Sequence, residues 1–134
     1  MPPQPSRSIV FVVDDESIIA STFELILISS GFDARSFVDP LDALQAAESA
    51  SPDLLLTDVV MPNLTGIQLA IKVQDLRPSC KVLLSSGQTV TAELLDAARL
   101  QGHHFEILAK PLHPAVILEL VANMLPKAKD QADA

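Results

Sequence analysis

Short apolar runs alternate along the chain with longer segments in which apolar residues recur at helical spacing. The short runs contain few polar residues, which is typical of strands buried on both faces, and the longer segments are typical of amphipathic helices. The pattern predicts strands at Ile9–Val13, Phe32–Phe37, Asp53–Thr57, Lys81–Ser85 and near Phe105–Ala109. It predicts helices at about Ser17–Ser30 and at Pro40–Ala50, Gly66–Leu76, Thr89–Leu100 and Pro114–Leu125.

Five successive β–α units predict an α/β fold, in which a doubly wound sheet of five parallel strands is covered by five flanking helices. Residues 8–126 are expected to form this single domain, and the Pro-rich residues 1–7 and the tail Lys127–Ala134 are expected to be disordered. In a parallel sheet of this kind, ligands bind beyond the carboxyl ends of the strands. The polar residues at the strand ends are therefore the candidates for chemistry.

Three acids, a hydroxyl and an ammonium group follow the predicted strands. Asp14 and Asp15 follow the first strand, Asp58 the third, Ser86 the fourth and Lys110 the fifth. Carboxylates gathered at one sheet edge repel one another, so the arrangement is costly unless a cation lies among them. Oxygen ligands at a partly hydrated position suit Mg²⁺. The strand ends therefore predict a magnesium site beside a lysine.

Each of these residues has a simpler interpretation when it is taken alone. Asp58 could be a loop acid or a helix cap, and Asp14 and Asp15 could cap the helix that begins near Ser17. Lys110 could be an ordinary surface charge. Capping roles do not explain why acids follow two separate strands and a lysine follows a third. The combination favours a single site that all of these residues form together.

Four segments at the strand ends resemble the motifs of the receiver domains of bacterial two-component response regulators, in their usual order and nearly their usual spacing. They are Val12–Glu16, Asp58–Gly66, Leu83–Gly87 and Lys110–Pro111, and the resemblance covers about residues 8–125. The resemblance implies a flavodoxin-like sheet with strand order 2-1-3-4-5. It also implies a phosphorylation switch that is not an enzyme, with no turnover beyond its own phosphorylation and dephosphorylation.

The same resemblance implies a role for each matching residue. Asp58 would accept a phosphoryl group from a phosphohistidine on a partner protein. Asp14 and Asp15, with Asp58 and the backbone carbonyl of Val60, would hold Mg²⁺, which neutralises charge on the phosphoryl oxygens. Lys110 would bind a second phosphoryl oxygen, and the Lys110–Pro111 peptide is expected to be cis, as in the family.

A serine at the end of the fourth strand would hydrogen-bond a third phosphoryl oxygen. Ser85 and Ser86 are adjacent, and only one can face the site because side chains alternate along a strand. We assign the role to Ser86, because it precedes Gly87 in the motif. Ser86, Gly87 and Ile107 are the residues expected to form the switch.

The chain departs from the common pattern of the family at Ile107, three residues before Lys110, where many members have Tyr or Phe. Isoleucine is stiff at χ1 and has no hydroxyl group, so it cannot swing as an aromatic ring does. We therefore expect Ser86 and the loop Gly87–Val90 to carry the change on phosphorylation, with the fifth strand nearly static. Val60 and Gln88 occupy positions that influence in this family how fast the phosphoryl group is lost to water.

Composition and charge restrict the partners. The net charge of −8 opposes attraction to a nucleic-acid backbone, and neither a signal peptide nor a membrane-spanning stretch is recognisable. The lone Cys80 fits a reducing cytoplasm. The resemblance implies a histidine kinase or phosphotransfer protein as donor and a downstream protein as target. The donor would dock on the apolar helix at Ile18–Ile28, which is otherwise interpreted as core.

Two other functions share parts of this pattern. A receiver fold that has lost its phosphorylation site would act as a phosphorylation-independent interaction module, and the complete set of acids, serine and lysine argues against this. A hydrolase that works through an aspartyl phosphate would need a second acid two residues after Asp58, where this chain has Val60. The pair His103-His104 suggests a metal site at first sight, but no Cys or third His accompanies it, and we interpret it as a solvated loop.

Overall fold

The computed structural model describes residues 7–87 and 92–125. Five parallel strands form one sheet in the order β2-β1-β3-β4-β5. The strands are β1 (Ile9–Val13), β2 (Asp33–Phe37), β3 (Leu54–Asp58), β4 (Lys81–Ser86) and β5 (Glu106–Ala109). The helices are α1 (Ser17–Ser29), α2 (Pro40–Ala50), α3 (Gly66–Leu76), α4 (Ala92–Leu100) and α5 (Pro114–Met124). The predicted α/β class, the five helices and the strand order are confirmed.

Each face of the sheet carries its own apolar cluster. Phe11, Leu55 and Leu84 point to the face that is covered by α2, α3 and α4. Alternate residues such as Leu54 and Leu83 point to the opposite face, where α1 and α5 pack. Side chains alternate along a strand, so the central strands must be apolar at nearly every position to supply both clusters. This explains why the strands are continuous apolar runs in the sequence.

The strand register brings the carboxyl ends of the central strands together. Val13 pairs with Thr57 across β1 and β3, and Asp58 pairs with Ser85 across β3 and β4. The residues that follow Val13 therefore lie beside Asp58 at one edge of the sheet.

Element boundaries differ from the prediction by one residue at several places. Strand β3 begins at Leu54, because the Asp53 carboxylate accepts a hydrogen bond from the Ile9 amide at 2.7 Å and closes the start of the strand, and it includes Asp58, which pairs with Ser85 of β4. Asp58 is therefore the last residue of β3, where the prediction placed it after the strand. Ser86 likewise ends β4. Helix α1 ends at Ser29, and Gly31 has the positive φ of 101° expected of the residue that closes it.

Side chains from neighbouring elements complete the backbone hydrogen bonds that the helices and the sheet edge leave open. The Arg77 guanidinium donates to the carbonyl groups of Ala47 and Glu48 at the end of α2, at 3.1 and 2.6 Å. The Glu24 carboxylate of α1 accepts from the backbone N–H of Ser36 in the edge strand β2, at 2.9 Å. These contacts tie α2 to α3 and α1 to β2.

Most of the predicted terminal disorder falls outside the described residues, as do residues 88–91 with Gln88 and the predicted start of α4 at Thr89. Arg7, the last residue of the segment predicted to be disordered, forms an isolated β-bridge, and the disorder of the termini stays a prediction. Among the described residues, no helix combines the length and apolar character that crossing a lipid bilayer requires.

Candidate functional site

Three carboxylates lie together at the carboxyl edge of the sheet. One ligand oxygen each of Asp14, Asp15 and Asp58 lies within 4.8 Å of those of the other two. Asp14 and Asp58 are buried, and Asp15 is exposed. The prediction that these residues come together is confirmed. A cluster with two buried members and one exposed member gives a bound cation both fixed protein ligands and contact with solvent.

Lys110, which follows β5, reaches across β4 into this cluster. Its Nζ lies 3.1 Å from Oδ2 of Asp58 and 3.2 Å from Oδ2 of Asp14. The Lys110–Pro111 peptide is cis, as predicted. The Lys110 backbone N–H donates to the Ser86 carbonyl at 3.0 Å, so the lysine is anchored to the end of β4. The ammonium group therefore bridges two of the three carboxylates.

The charges at this site shift the pKa of Lys110. Partial burial by itself lowers the pKa of Lys110, but the hydrogen bond to Asp58 and the charge of Asp14 outweigh it, so its pKa lies above the ordinary value. A raised pKa in the folded state gives a stabilisation that is complete below the unfolded-state pKa, and so at neutral pH, and that is lost as the pH rises through the folded-state pKa. Lys110 is therefore a fixed positive charge in the physiological range.

Asp14 is held by backbone groups on two sides. Its own N–H donates to the Phe37 carbonyl at 3.1 Å, and its Oδ1 accepts from the Glu16 N–H at 2.9 Å. With Oδ2 on Lys110, both carboxylate oxygens have partners. Asp14 is thus oriented before any ligand binds.

The loop after β3 carries Val60, whose carbonyl is the predicted fourth protein ligand for a metal. Val59 and Met61 are buried on either side of Val60, while the Val60 side chain is 60% exposed. The Val59 N–H donates to the Ser85 carbonyl at 2.9 Å, and the Gly66 N–H donates to the Val59 carbonyl at 2.8 Å. The loop is therefore pinned at both ends beside Asp58.

Gly66 lies against the backbone of the predicted nucleophile. A Cβ atom at this position would be 2.0 Å from the carbonyl oxygen of Asp58 and 2.8 Å from its carbonyl carbon. Only a residue without a side chain fits this approach, which the position of Gly66 at the end of a motif and the start of a predicted helix does not reveal. The signal in the sequence was its position at the start of a helix, where glycine has no advantage as a helix former.

The two candidate serines have different surroundings. Ser85 pairs in register with Asp58, and Ser86 pairs with Ala109 of β5. By alternation, Ser86 shares the sheet face of Leu84, which packs in the cluster that Ile107 borders. Both serines are buried. The assignment of the phosphoryl contact to Ser86 stays a prediction.

The remaining switch residues lie where the prediction places them. Ile107 is partly buried in β5, opposite Leu84 of β4. Gly87 is exposed, and among the described residues the nearest atoms to a Cβ there would be Lys110 side-chain carbons at 4.0 Å. The switch role of both residues stays a prediction.

Of the histidine pair between α4 and β5, only one residue is exposed to solvent as predicted. His104 is exposed, but His103 is buried. Its Nδ1 lies 2.7 Å from Oε1 of Gln74, its Nε2 lies 3.4 Å from Oδ1 of Asp75, and its ring stacks on Phe105. The solvated-loop interpretation is wrong for His103, because helix α3 supplies two polar partners that are distant in the sequence. The residue anchors the α4–β5 loop to α3, away from the carboxylate cluster.

The donor set fits a hard divalent cation. Carboxylate oxygens on two adjacent strands, with a backbone carbonyl in the next loop, are the ligand types that Mg²⁺ uses, and the open side at Asp15 leaves room for water and a phosphoryl oxygen. A sequence model described as the response regulator receiver domain matches residues 10–122.

The chain belongs to the receiver domain family. Over 127 residues this receiver domain is 31% identical to the DNA-binding transcriptional regulator NtrC of Escherichia coli K12, covering 93% of this chain and 26% of NtrC. It is 32% identical over 119 residues to the chemotaxis protein CheY of Treponema pallidum, covering 87% of this chain and 81% of CheY. The receiver domain thus spans about a quarter of NtrC and most of CheY.

The fold of this receiver domain also matches solved structures. A CheY-like receiver domain protein from Methanospirillum hungatei JF-1 superposes with a TM-score of 0.79 at 24% identity, covering 88% of this chain and 93% of that one. Receiver domains are generally switches without enzymatic turnover, and they bind a metal at an acidic cluster. The carboxylates of this receiver domain supply such a cluster.

Proposed function

We propose that this receiver domain is a phosphoacceptor switch of a two-component system, with Asp58 as the acceptor. The observation that supports this most directly is the Lys110 ammonium group, 3.1 Å from Asp58 and 3.2 Å from Asp14 within the carboxylate cluster. A lysine with only a structural role needs one acid partner. The Lys110 ammonium group instead lies between Asp58, the proposed nucleophile, and Asp14, a proposed metal ligand. This arrangement puts positive charge where phosphoryl oxygens would arrive.

The reaction proposed is a single phosphoryl transfer. An Oδ atom of Asp58 attacks the phosphorus of a phosphohistidine, an O–P bond forms, and the N–P bond breaks with its electron pair returning to the imidazole. Lys110 binds one phosphoryl oxygen, and Asp14 keeps its orientation through Glu16 and Phe37. Bound Mg²⁺, held by Asp14, Asp15, Asp58 and the Val60 carbonyl, supplies charge neutralisation on the phosphoryl group.

A histidine kinase or phosphotransfer protein is the proposed donor. A groove of about 490 Å³ opens beside the acceptor site, between α1 and the loop after β5. Its lining includes Ile19, Phe23 and Lys110. Three apolar residues of the same helix are exposed, namely Ile18, Leu25 and Ile28. Helix α1 therefore has an apolar surface in contact with solvent in addition to the residues that it buries in the core. An apolar helix of the donor would bury this surface and bring its phosphohistidine to Asp58.

The downstream partner is proposed to be a protein that contacts α4, β5 and α5. The net charge of −8 disfavours direct nucleic-acid binding, and the single, buried Cys80 suits the reducing cytoplasm that we propose as the location. Dephosphorylation by water, without further turnover, completes the proposed cycle.

The proposal is tested by incubating the protein with MgCl₂ and acetyl phosphate and measuring its intact mass. One hydroxylamine-labile phosphoryl group is expected, and none when EDTA is present. No labelling at any Mg²⁺ concentration would favour the phosphorylation-independent module. Hydrolysis of a phosphate monoester, such as p-nitrophenyl phosphate, over many turnovers would favour the aspartyl-phosphate hydrolase, which the absence of an acid at Val60 disfavours.

Metal binding is expected to depend on Asp15 more than on Ser86. Asp15→Asn removes a charged ligand, so the Kd for Mg²⁺ should rise about a hundredfold, whereas Ser86→Ala should change it by less than about twofold. Isothermal titration with MgCl₂ measures both values. Equal losses of affinity in the two variants would contradict the assigned metal ligands.

A phosphoryl mimic should reveal which serine responds. On addition of beryllofluoride and Mg²⁺, large backbone amide shifts are expected at Ser86 and Gly87, with small shifts at Ile107, because its stiff side chain stays in place. Ser86→Ala should reduce the shift of Gly87, and Ser85→Ala serves as the matched control. The largest shifts at Ile107 and His104, with little change at Ser86, would show that β5 carries the switch.

A further inference from the structure

One buried hydroxyl group beside the acceptor is not used by the proposed transfer. Thr57 is 1% exposed, and its Oγ1 lies 3.0 Å from the carbonyl oxygen of Asp58 and 3.9 Å from Sδ of Met61. Because side chains alternate along β3, Thr57 points to the α2–α3 face while Asp58 points to the opposite one. The hydroxyl group therefore points away from the position of the phosphoryl group, and among the described residues its hydrogen-bond partners are the Asp58 carbonyl and Met61.

We propose that Thr57 is a positioning residue that sets the affinity of this site for Mg²⁺ through Met61. This inference rests on the proposed function, because it assumes that the Val60 carbonyl is a metal ligand. The contact joins the last residues of β3 to the first residues of the loop that carries Val60. Thr57 thus fixes where the carbonyl is presented without being a ligand itself.

The other contacts of the loop explain why this tie matters. Val59 is fixed by the Ser85 carbonyl, and the far end of the loop is fixed by the Thr65–Gln68 capping box. Between these points the Leu64 N–H bonds to the Pro62 carbonyl at 2.8 Å, which is a contact within the loop and does not fasten it to the sheet. Met61 is buried in the apolar cluster of the α2–α3 face, and its Sδ lies 3.9 Å from the Thr57 hydroxyl group, so it fastens the residue next to Val60.

The position of the Val60 carbonyl affects the affinity for Mg²⁺ because this ion accepts only a narrow range of coordination geometries. It requires nearly ideal octahedral geometry with ligand distances of about 2.0–2.1 Å. A carbonyl that drifts by a few tenths of an ångström is a poorer ligand, although the carboxylates still attract the ion. Residues that orient a ligand in this way typically change metal affinity by about tenfold or more when they are replaced.

The test compares three variants in the full chain. Thr57→Val keeps the shape and removes the hydroxyl group, Thr57→Ser keeps the hydroxyl group, and Met61→Leu removes the sulfur atom from a side chain of similar size. The Kd for Mg²⁺, measured by isothermal titration, should rise about tenfold in Thr57→Val, less in Met61→Leu, and by less than about twofold in Thr57→Ser. Acetyl phosphate labelling of Thr57→Val at saturating Mg²⁺ should recover the wild-type rate, because Asp58 and Lys110 are untouched.

A general effect on stability is separated by Val121→Ala, which lies in the opposite apolar cluster on α5. Val121→Ala should lose stability in urea and keep its Mg²⁺ affinity. Thr57→Val should keep its stability in urea and lose Mg²⁺ affinity. Unchanged affinity in Thr57→Val, or equal losses in Thr57→Val and Thr57→Ser, would overturn the role of the hydroxyl group. If the wild-type protein bound no Mg²⁺, the proposed function itself would fail, and the variants would not be needed to show it.

Discussion

Asp58→Asn is expected to abolish phosphorylation by acetyl phosphate. The amide has the shape of the carboxylate but is a far weaker nucleophile, and removing a catalytic nucleophile commonly costs more than about a thousandfold in rate. The fold should persist, because the substitution removes one negative charge from a cluster whose members lie within 4.8 Å of one another. Intact mass after incubation should therefore show no gain in a protein that still unfolds cooperatively.

The control for this prediction is Asp33→Asn. Asp33 is a partly exposed acid that pairs with Arg35 on the edge strand, so the variant loses the same charge away from the site. It should be labelled like the wild type. Hydroxylamine-labile labelling of Asp58→Asn at the wild-type level would show that another carboxylate, such as Asp14 or Asp15, accepts the phosphoryl group.

Gly66→Ala is expected to damage both stability and phosphorylation. The new methyl group would lie 2.0 Å from the Asp58 carbonyl oxygen and 3.0 Å from Cα of Val59, and both of these contacts are with backbone. Backbone cannot rotate away as a flexible side chain can, so β3 and α3 must separate. We expect a loss of about 3 kcal/mol in the free energy of unfolding, measured in urea by far-ultraviolet circular dichroism, and a lower rate of labelling.

Two other glycines provide matched controls. Gly87→Ala introduces a methyl group with no contact closer than 4.0 Å and should be nearly neutral. Gly102→Ala has open space but a φ of +89°, so it should cost about 1 kcal/mol through backbone strain alone. A loss in Gly66→Ala no larger than that in Gly102→Ala would contradict the steric explanation.

The sequence was sufficient to predict the architecture and the residues of the acidic cluster. The fold class follows from the apolar runs and the acidic residues from their positions after the predicted strands, whereas the strand order followed from the resemblance to the family. The exact start of β3 was not predictable, since it depends on the bond between the Asp53 side chain and Ile9. That bond joins residues that are far apart in the sequence.

The contributions of His103, Thr57 and Gly66 were missed for a common reason. Each is decided by a contact made in the folded molecule: His103 with Gln74 of α3, Thr57 with Met61, and Gly66 with the backbone of Asp58. Local patterns describe what a residue favours and not which neighbour the fold brings to it. A histidine in a polar loop and a glycine at a helix start therefore look ordinary until the chain is folded.

The edge strand β2 has a consequence for how the protein behaves in a crowded solution. A sheet edge with free N–H groups is a template for strands of other molecules and so for aggregation. Here the Ser36 N–H is already bonded to Glu24, and Asp33 and Arg35 place a charged pair on the same strand. An incoming strand would have to displace a carboxylate and desolvate two charges. The edge at β2 is therefore a poor template for a strand of another molecule, which disfavours the growth of fibres from it.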